Sequence, residues 1–421
     1  MSQSTQSTQP TLDRALRMRS VVLFGLAYMA PMIVLGTFGE IAEETKGAAA
    51  SAYLLALVAM LFTAYSYGRM ASTYPVAGSA YTYVRRTIDS RVGFLIGWAT
   101  LLDYFFLPMV IWLLGATFLR QGFPGVPLWV WVIGFIVLTT VLNVVGIRVA
   151  DKVNLLLMTF QLLVVAAFVV LSLRHLFGVG GAAAWFDAAP FDNPATTLAA
   201  IAGGAGIAAY SFLGFDAITT LTEETINPRR TMPRAILLVA LLGGIIFTVV
   251  TYATQLVNAG MSLQALMAVL GHVTPEMTLR YATLASPTLR TAYDQAIGIL
   301  ICGVAGLIGL ALDVGTAISM INFGAFLAFT AVNASVIALY YRRRSSERPL
   351  GALGYVALPL VGAVIDLYLL LHLQGLAKLL GVCWLALGLL YLVWLTSGFR
   401  RPPPQIDSLA AESEVEQPAP A

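Results

Sequence analysis

Charge is scarce in this 421-residue chain: Asp, Glu, Lys and Arg together make up 11% of it, against roughly 25% in a soluble domain. Hydrophobic residues fill 59%, so a soluble fold is excluded, because too little polar surface remains to cover such a core. Cysteine is nearly absent. Cys302 and Cys383 both lie in apolar runs, which argues against a disulfide framework. His175 and His372 show no metal-ligand spacing, and no Gly-Lys-Ser/Thr phosphate loop occurs, which excludes a fused ATPase. No enzymatic activity, cofactor or metal is expected. The polar start, MSQSTQSTQPTLDRALRMRS, lacks a small-residue cleavage site and reads as a retained cytosolic tail.

Long apolar runs are what the chain does have. Eleven approach the roughly 20 residues a bilayer requires: 21–39, 48–68, 93–118, 128–147, 154–173, 197–222, 235–257, 298–313, 316–341, 354–372 and 377–396. Backbone groups must be paired in lipid, so these runs are helices. The expected fold class is an all-α polytopic protein of the plasma (inner) membrane, and the lipid bilayer is a necessary partner.

Arg14, Arg17 and Arg19 precede the first run and put the N-terminus in the cytoplasm. Arg69, Arg85, Arg86 and Arg91, then Arg148 and Lys152, then Arg229, Arg230 and Arg234 fall on the same side through seven spans. Beyond them the alternation breaks. Counting 298–313 as a crossing puts RRRSSER (342–348), Arg400 and Arg401 outside. One more crossing would bring them in, so the eighth of twelve expected spans is missing. The expectation is that RRRSSER nevertheless stays cytoplasmic, through a distorted or re-entrant segment near 235–313.

The expected division is therefore a cytosolic tail (1–20), spans one to seven (21–257), an insert replacing span eight (258–297), spans nine to twelve (298–396) and a disordered, Pro- and acid-rich cytosolic tail (397–421). The insert is amphiphilic and charged. Its Leu270-Gly271-His272 and TPEMTLRYA strings resemble the C-terminal end of a tyrosine recombinase, with His272 and Tyr281 on that family's histidine and nucleophile positions. The family's His-x-x-Arg box is replaced by Phe247, Thr248, Val249 and Val250. Without such cations the charged transition state is not held, so neither recombinase activity nor nucleic-acid binding is expected.

Three strings carry chemistry. GLAYMAPMIVLGTFG (25–39) places Pro31, Gly36 and Gly39 in a spanning helix, and such a break frees backbone groups for a substrate. LLDYFFLPMV (101–110) puts Asp103 inside an apolar run, where a carboxylate marks a function unless a neighbouring helix claims it. AAYSFLGFDAITTLTEETINPRRTMPRAI (208–236) offers a second break at Gly214 beside Asp216, then Glu223 and Glu224 before Pro228. A fourth string, SYGRMASTYPVAGSAYTYVRR (66–86), has Tyr74-Pro75 to stop a helix and Gly78 to turn, with Tyr81 and Tyr83 suited to the interface.

Together these strings resemble the amino acid–polyamine–organocation permeases, and the LDY…LPM string resembles the putrescine-importer branch. The resemblance implies the leucine-transporter-like five-plus-five inverted repeat, with broken helices in spans one and six around the substrate. It implies secondary active transport of a small molecule, an amino acid or a polyamine, by proton symport or exchange. A rearranged, transport-inactive remnant is the alternative. The implied substrate-binding residues are Ala30, Pro31, Met32, Gly36, Asp103, Phe212, Leu213, Gly214, Phe215 and Asp216. Asp103, Glu223 and Glu224 are the candidates for proton or cation coupling, although the two glutamates also suit a solvated ion pair with Arg229 and Arg230. Asn322 and Asn333 read as helix-to-helix hydrogen-bond partners, and Asp313, Asp366 and Lys378 as span-end residues reaching the interface. The sequence does not fix an oligomeric state.

Overall fold

The computed structural model describes residues 14–145, 159–172, 174, 188, 190–258, 306–343 and 351–403. Nearly all of the segment 258–297, expected to be an insert, together with most of RRRSSER and the far ends of both tails, lies outside the described residues.

Among the described residues, twelve α-helices follow one another: α1 (Met18–Tyr28), α2 (Ile33–Glu44), α3 (Ala49–Thr73), α4 (Ala80–Thr87), α5 (Ser90–Gly122), α6 (Leu128–Val145), α7 (Thr159–Ser172), α8 (Leu198–Ala208), α9 (Pro228–Asn258), α10 (Val314–Arg343), α11 (Leu358–His372) and α12 (Gly375–Leu395). Seven spans among the described residues are long and apolar enough to cross a bilayer, or eight with α1 and α2 taken as one bent span. The protein is an all-α polytopic membrane protein.

Small residues let the helices close on each other, as they must where lipid gives no hydrophobic drive. At Gly68 of α3 a Cβ would sit 3.0 Å from the Cα of Pro233 in α9. The amide of Asn322 on α10 donates to the carbonyl of Gly206 on α8 at 2.6 Å, the inter-helix role expected of it. Tyr74 caps α3 and α4 opens at Ala80, as the Tyr-Pro and Gly signals predict. Tyr81 and Tyr83 differ from expectation: both are buried. Tyr83 packs edge-on to Tyr67, ring centroids 6.1 Å apart, because α4 folds back against the bundle rather than lying at its rim.

Opposite faces carry opposite charge. Glu40, Glu43, Glu44, Lys46, Asp313 and His372 border a cleft of about 750 Å³ on the acidic face. Arg69, Arg229, Arg230 and Arg234 border one of about 470 Å³ on the basic face. There the first residues are stitched to the end of the sixth span. Leu16 donates its N–H to the Glu224 carbonyl, and Ile226 donates to that of Leu16, both at 2.9 Å.

The placement of α10 fixes the face on which 298–313 ends. Gln255, near the end of α9, borders Gly47 beside Lys46, and Asp313, at the start of α10, lies on the same acidic face. The chain therefore leaves and re-enters the described fold on one face. At the far end of α10 the Arg342 guanidinium donates to the Arg86 carbonyl at 3.1 Å. Arg91 donates to the Phe399 carbonyl at 2.7 Å. Arg342 and Phe399 thus share the face of Arg86 and Arg91, and the basic residues are not split by the shortened segment. The described part of 235–313 that belongs to α9 is continuous helix.

Candidate functional site

The first break spans Met29 to Met32. Pro31 cannot donate a backbone N–H, and Ala30 takes φ +42°, a region that costs a non-glycine residue energy. Across the break α1 and α2 meet at 49°. The Met32 N–H is held by the Gln161 side chain of α7 at 3.0 Å, so this amide is already satisfied. Gly36 and Gly39 lie inside regular α2, and the break is Pro31's alone.

The second break follows α8. The chain tightens into a 3₁₀ turn over Ala209–Phe212, leaves helical geometry at Leu213 to Asp216, and resumes as 3₁₀ over Ala217–Thr222. Gly214 has φ +102°, and a Cβ there would lie 3.1 Å from the Tyr28 carbonyl oxygen. The two breaks thus meet backbone to backbone, Gly214 against Tyr28, and only glycine permits the approach.

Beside this meeting point lie two carboxylates. Asp103 of α5 and Asp216 are both buried, and the Asp216 charge acts on Asp103. Asp216 lies against the backbone N–H groups of Gly214 and Ala217 and accepts from the Tyr67 hydroxyl at 3.4 Å. Asp103 Oδ1 and the Tyr210 hydroxyl are buried without hydrogen-bond partners, and Tyr104 feels both carboxylates. No cationic side chain acts on either acid among the described residues.

The remaining expected site residues divide. Ala30, Pro31 and Leu213 are buried at the breaks. Phe212 packs edge-on to Phe247 at 5.2 Å, and Phe215 lies 5.6 Å from Tyr67 and 5.4 Å from Phe329. Both rings wall the site through packing. Glu223 and Glu224 stand apart, past the end of the second 3₁₀ turn. Glu223 accepts the Ala77 N–H at 3.0 Å and so braces the 74–79 turn, while the backbone of Glu224 holds Leu16.

Asp366 is a further correction. It is fully buried in mid-α11, bonded to Thr63 and Asn333, and does not reach the interface. Lys378 does lie at a span end, its ammonium on the Leu371 carbonyl at 2.7 Å. Sequence reasoning passed over Tyr67, Tyr104, Tyr210 and Gln161. The first three lie inside the quoted strings, and Tyr104 follows Asp103 directly; Gln161, alone in an apolar run, carried no motif.

Two broken helices meeting at buried, cation-free carboxylates in a polytopic bundle define a membrane transporter. Residues 20–288 match the family model described as amino acid permease. The chain belongs to that family. It is 34% identical over 445 aligned positions to the low-affinity putrescine importer PlaP of Escherichia coli (strain K12), covering 95% of this chain and 97% of that one. To the methylthioribose transporter of Bacillus subtilis (strain 168) it is 24% identical, covering 92% and 94%. Among solved structures, a manganese transporter of Eremococcus coleocola aligns with a TM-score of 0.47 at 12% identity, covering 94% of this chain and 99% of the other. The alignment with PlaP is longer than this 421-residue chain, so the importer carries stretches that this chain lacks.

Proposed function

We propose that this permease moves an organic cation, a polyamine or a basic amino acid, across the inner membrane by secondary transport, and that it catalyses no chemical step. One observation carries the proposal: Asp103 and Asp216 are both buried, and among the described residues no cationic side chain acts on them. Two like charges in a dry site repel unless a cation lies between them. An ammonium group supplies that charge and donors for Asp103 Oδ1. The acid-lined cleft on the opposite face from the arginines would gather such cations at its mouth, and the 34% identity to a putrescine importer favours a diamine. Basic residues mark the cytoplasmic side, so this orientation puts the N-terminus inside and the acidic mouth outside.

Uptake of labelled putrescine, arginine and leucine into proteoliposomes tests this. Putrescine or arginine uptake abolished by Asp103→Asn supports it; uptake of leucine alone, indifferent to Asp103, overturns it.

The segment 258–297 is proposed to be a recombinase-like insert in place of span eight, on the strength of its LGH and TLRYA strings; the family match, which runs to residue 288, overlaps its first part. Transport-inactive remnant status is the second reading, favoured by the stretches missing relative to PlaP. Absence of uptake for every substrate by a folded protein would establish it. Resequencing codons 245–300 beside a close relative's separates a true fusion from an assembly error.

A further inference from the structure

Asp366 lies outside the Asp103–Asp216 site, and its hydrogen bonds do not balance. Its Oδ2 accepts from the Thr63 hydroxyl of α3 at 2.8 Å and from Asn333 Nδ2 of α10 at 3.0 Å. Asn333 Nδ2 also donates to Thr63 Oγ1 at 3.2 Å. These bonds exhaust the donors, since a threonine has one O–H and an asparagine amide two N–H. Among the described residues, two acceptors are left buried with no donor: Asp366 Oδ1 and Asn333 Oδ1. Both residues are 0% exposed, and orphaned polar atoms at such depth are costly.

One additional donor would satisfy the pair. A carboxylic acid and a primary amide associate through two hydrogen bonds, amide N–H to one carboxyl oxygen and acid O–H to the amide carbonyl. The first of these bonds exists. A metal cation would need several oxygens and the room to hold them. The surroundings are tight: a Cβ on Gly362 would lie 3.0 Å from both amide heteroatoms of Asn333 and from the Phe62 Cβ.

We propose that Asp366, Asn333 and Thr63 form a proton-binding site in the membrane interior, the proton residing on Asp366 Oδ1 and bonded to Asn333 Oδ1. Of the elements packed on α11, α3 presents Thr63 and α10 presents Asn333, α8 has no titratable side chain, and the Leu353–Ala357 turn carries Tyr355, whose ring lies 4.7 Å from the Arg69 guanidinium. On α11 itself Tyr368 and His372 pair with each other, ring centroids 4.3 Å apart. The site is joined to the substrate carboxylates through α3. Thr63 and Tyr67 stand one turn apart on that helix, and Tyr67 bonds Asp216. A shift of α3 against α10 and α11 removes Thr63 from the proton site as it moves Tyr67 at the substrate site. The proton is then the coupling ion, a step that rests on the transport reading.

Infrared spectroscopy of the full chain in lipid nanodiscs near neutral pH tests the site without transport. The expected result is a protonated carboxylic-acid carbonyl band, shifted by heavy water, lost in Asp366→Asn and retained in Asp103→Asn. If Asp366→Asn does not fold, Asn333→Leu must shift the same band. Wild-type protein with no such band overturns the proposal. Proteoliposomes test the coupling: Asp366→Asn should keep substrate exchange and lose acceleration by external acid. Full gradient-driven accumulation by that variant overturns the coupling role. Absence of any substrate movement by the wild type defeats the transport reading instead, leaving the infrared result to decide the proton site.

Discussion

Trp98 and Trp384 exchange hydrogen bonds: each indole N–H donates to the other's backbone carbonyl, at 2.8 and 2.9 Å, with the rings stacked 5.0 Å apart. Gly388, one turn further along α12, leaves the space that the Trp98 ring fills. The pair fastens α12, whose surface is mostly turned outward, to α5. Trp98→Phe should lower stability by roughly 1 kcal/mol for the lost bond, and Gly388→Val by about 1–3 kcal/mol through overpacking. Thermal unfolding in detergent measures both, and unchanged melting of both variants would refute the fastening role.

Gly214→Ala should be among the most damaging small substitutions. Its φ of +102° disfavours a side chain, and the new Cβ would press on the Tyr28 carbonyl. The left-handed backbone alone costs roughly 1–2 kcal/mol. Gly36→Ala is the control, since a Cβ there meets only ordinary contacts, with Phe118 at 3.8 Å and Ile33 at 3.9 Å. Uptake should fall in the first variant and persist in the second.

Neutralising either acid at the substrate site should weaken a diamine more than a neutral amino acid. Removing one member of a buried charge pair costs about 2–5 kcal/mol, or roughly 30-fold or more in affinity. Competition binding with putrescine and leucine to Asp103→Asn and Asp216→Asn measures the difference. Equal losses for both ligands would contradict the assignment of these carboxylates to the ammonium groups.

Asp313 gives a pH dependence outside the spans. It caps α10 through bonds from the Thr316 N–H at 2.8 Å and hydroxyl at 2.6 Å. Partial burial works against its charge, but these bonds prevail and hold the carboxyl below its ordinary 3.8. A lowered folded-state pKa contributes stability that is complete above the ordinary value and lost as pH falls through the folded one. Asp313→Ala should therefore cost about 1 kcal/mol at neutral pH and progressively less below pH 3.8. Melting curves across that range are the check.

Much of the site is legible because its signals are local. Pro31 and Gly214 dictate breaks through their own backbone chemistry, and an acid in an apolar run, such as Asp103, is conspicuous by cost alone. Asp366 presented the same signal, yet its depth depended on Thr63, 303 positions away in sequence, which no local pattern reveals. Gln161, which satisfies the Met32 N–H from 129 positions away, was hidden for the same reason. Gly36 misled in the other direction: glycine permits a break, but nothing there competes with the helix. Hydropathy and charge alternation along 258–313 do not register that Gln255 and Asp313 share a face.

The stitch between Leu16 and residues 224–226 joins the start of the first broken span to the end of the second on the basic face. It works as a clasp. For the substrate site to open toward that face, Leu16 must let go of both the Glu224 carbonyl and the Ile226 N–H. Two such bonds are worth only about 1 kcal/mol each in net terms, so thermal motion can undo them. The start of the first span and the segment after the second break are therefore held together as one unit on the basic face.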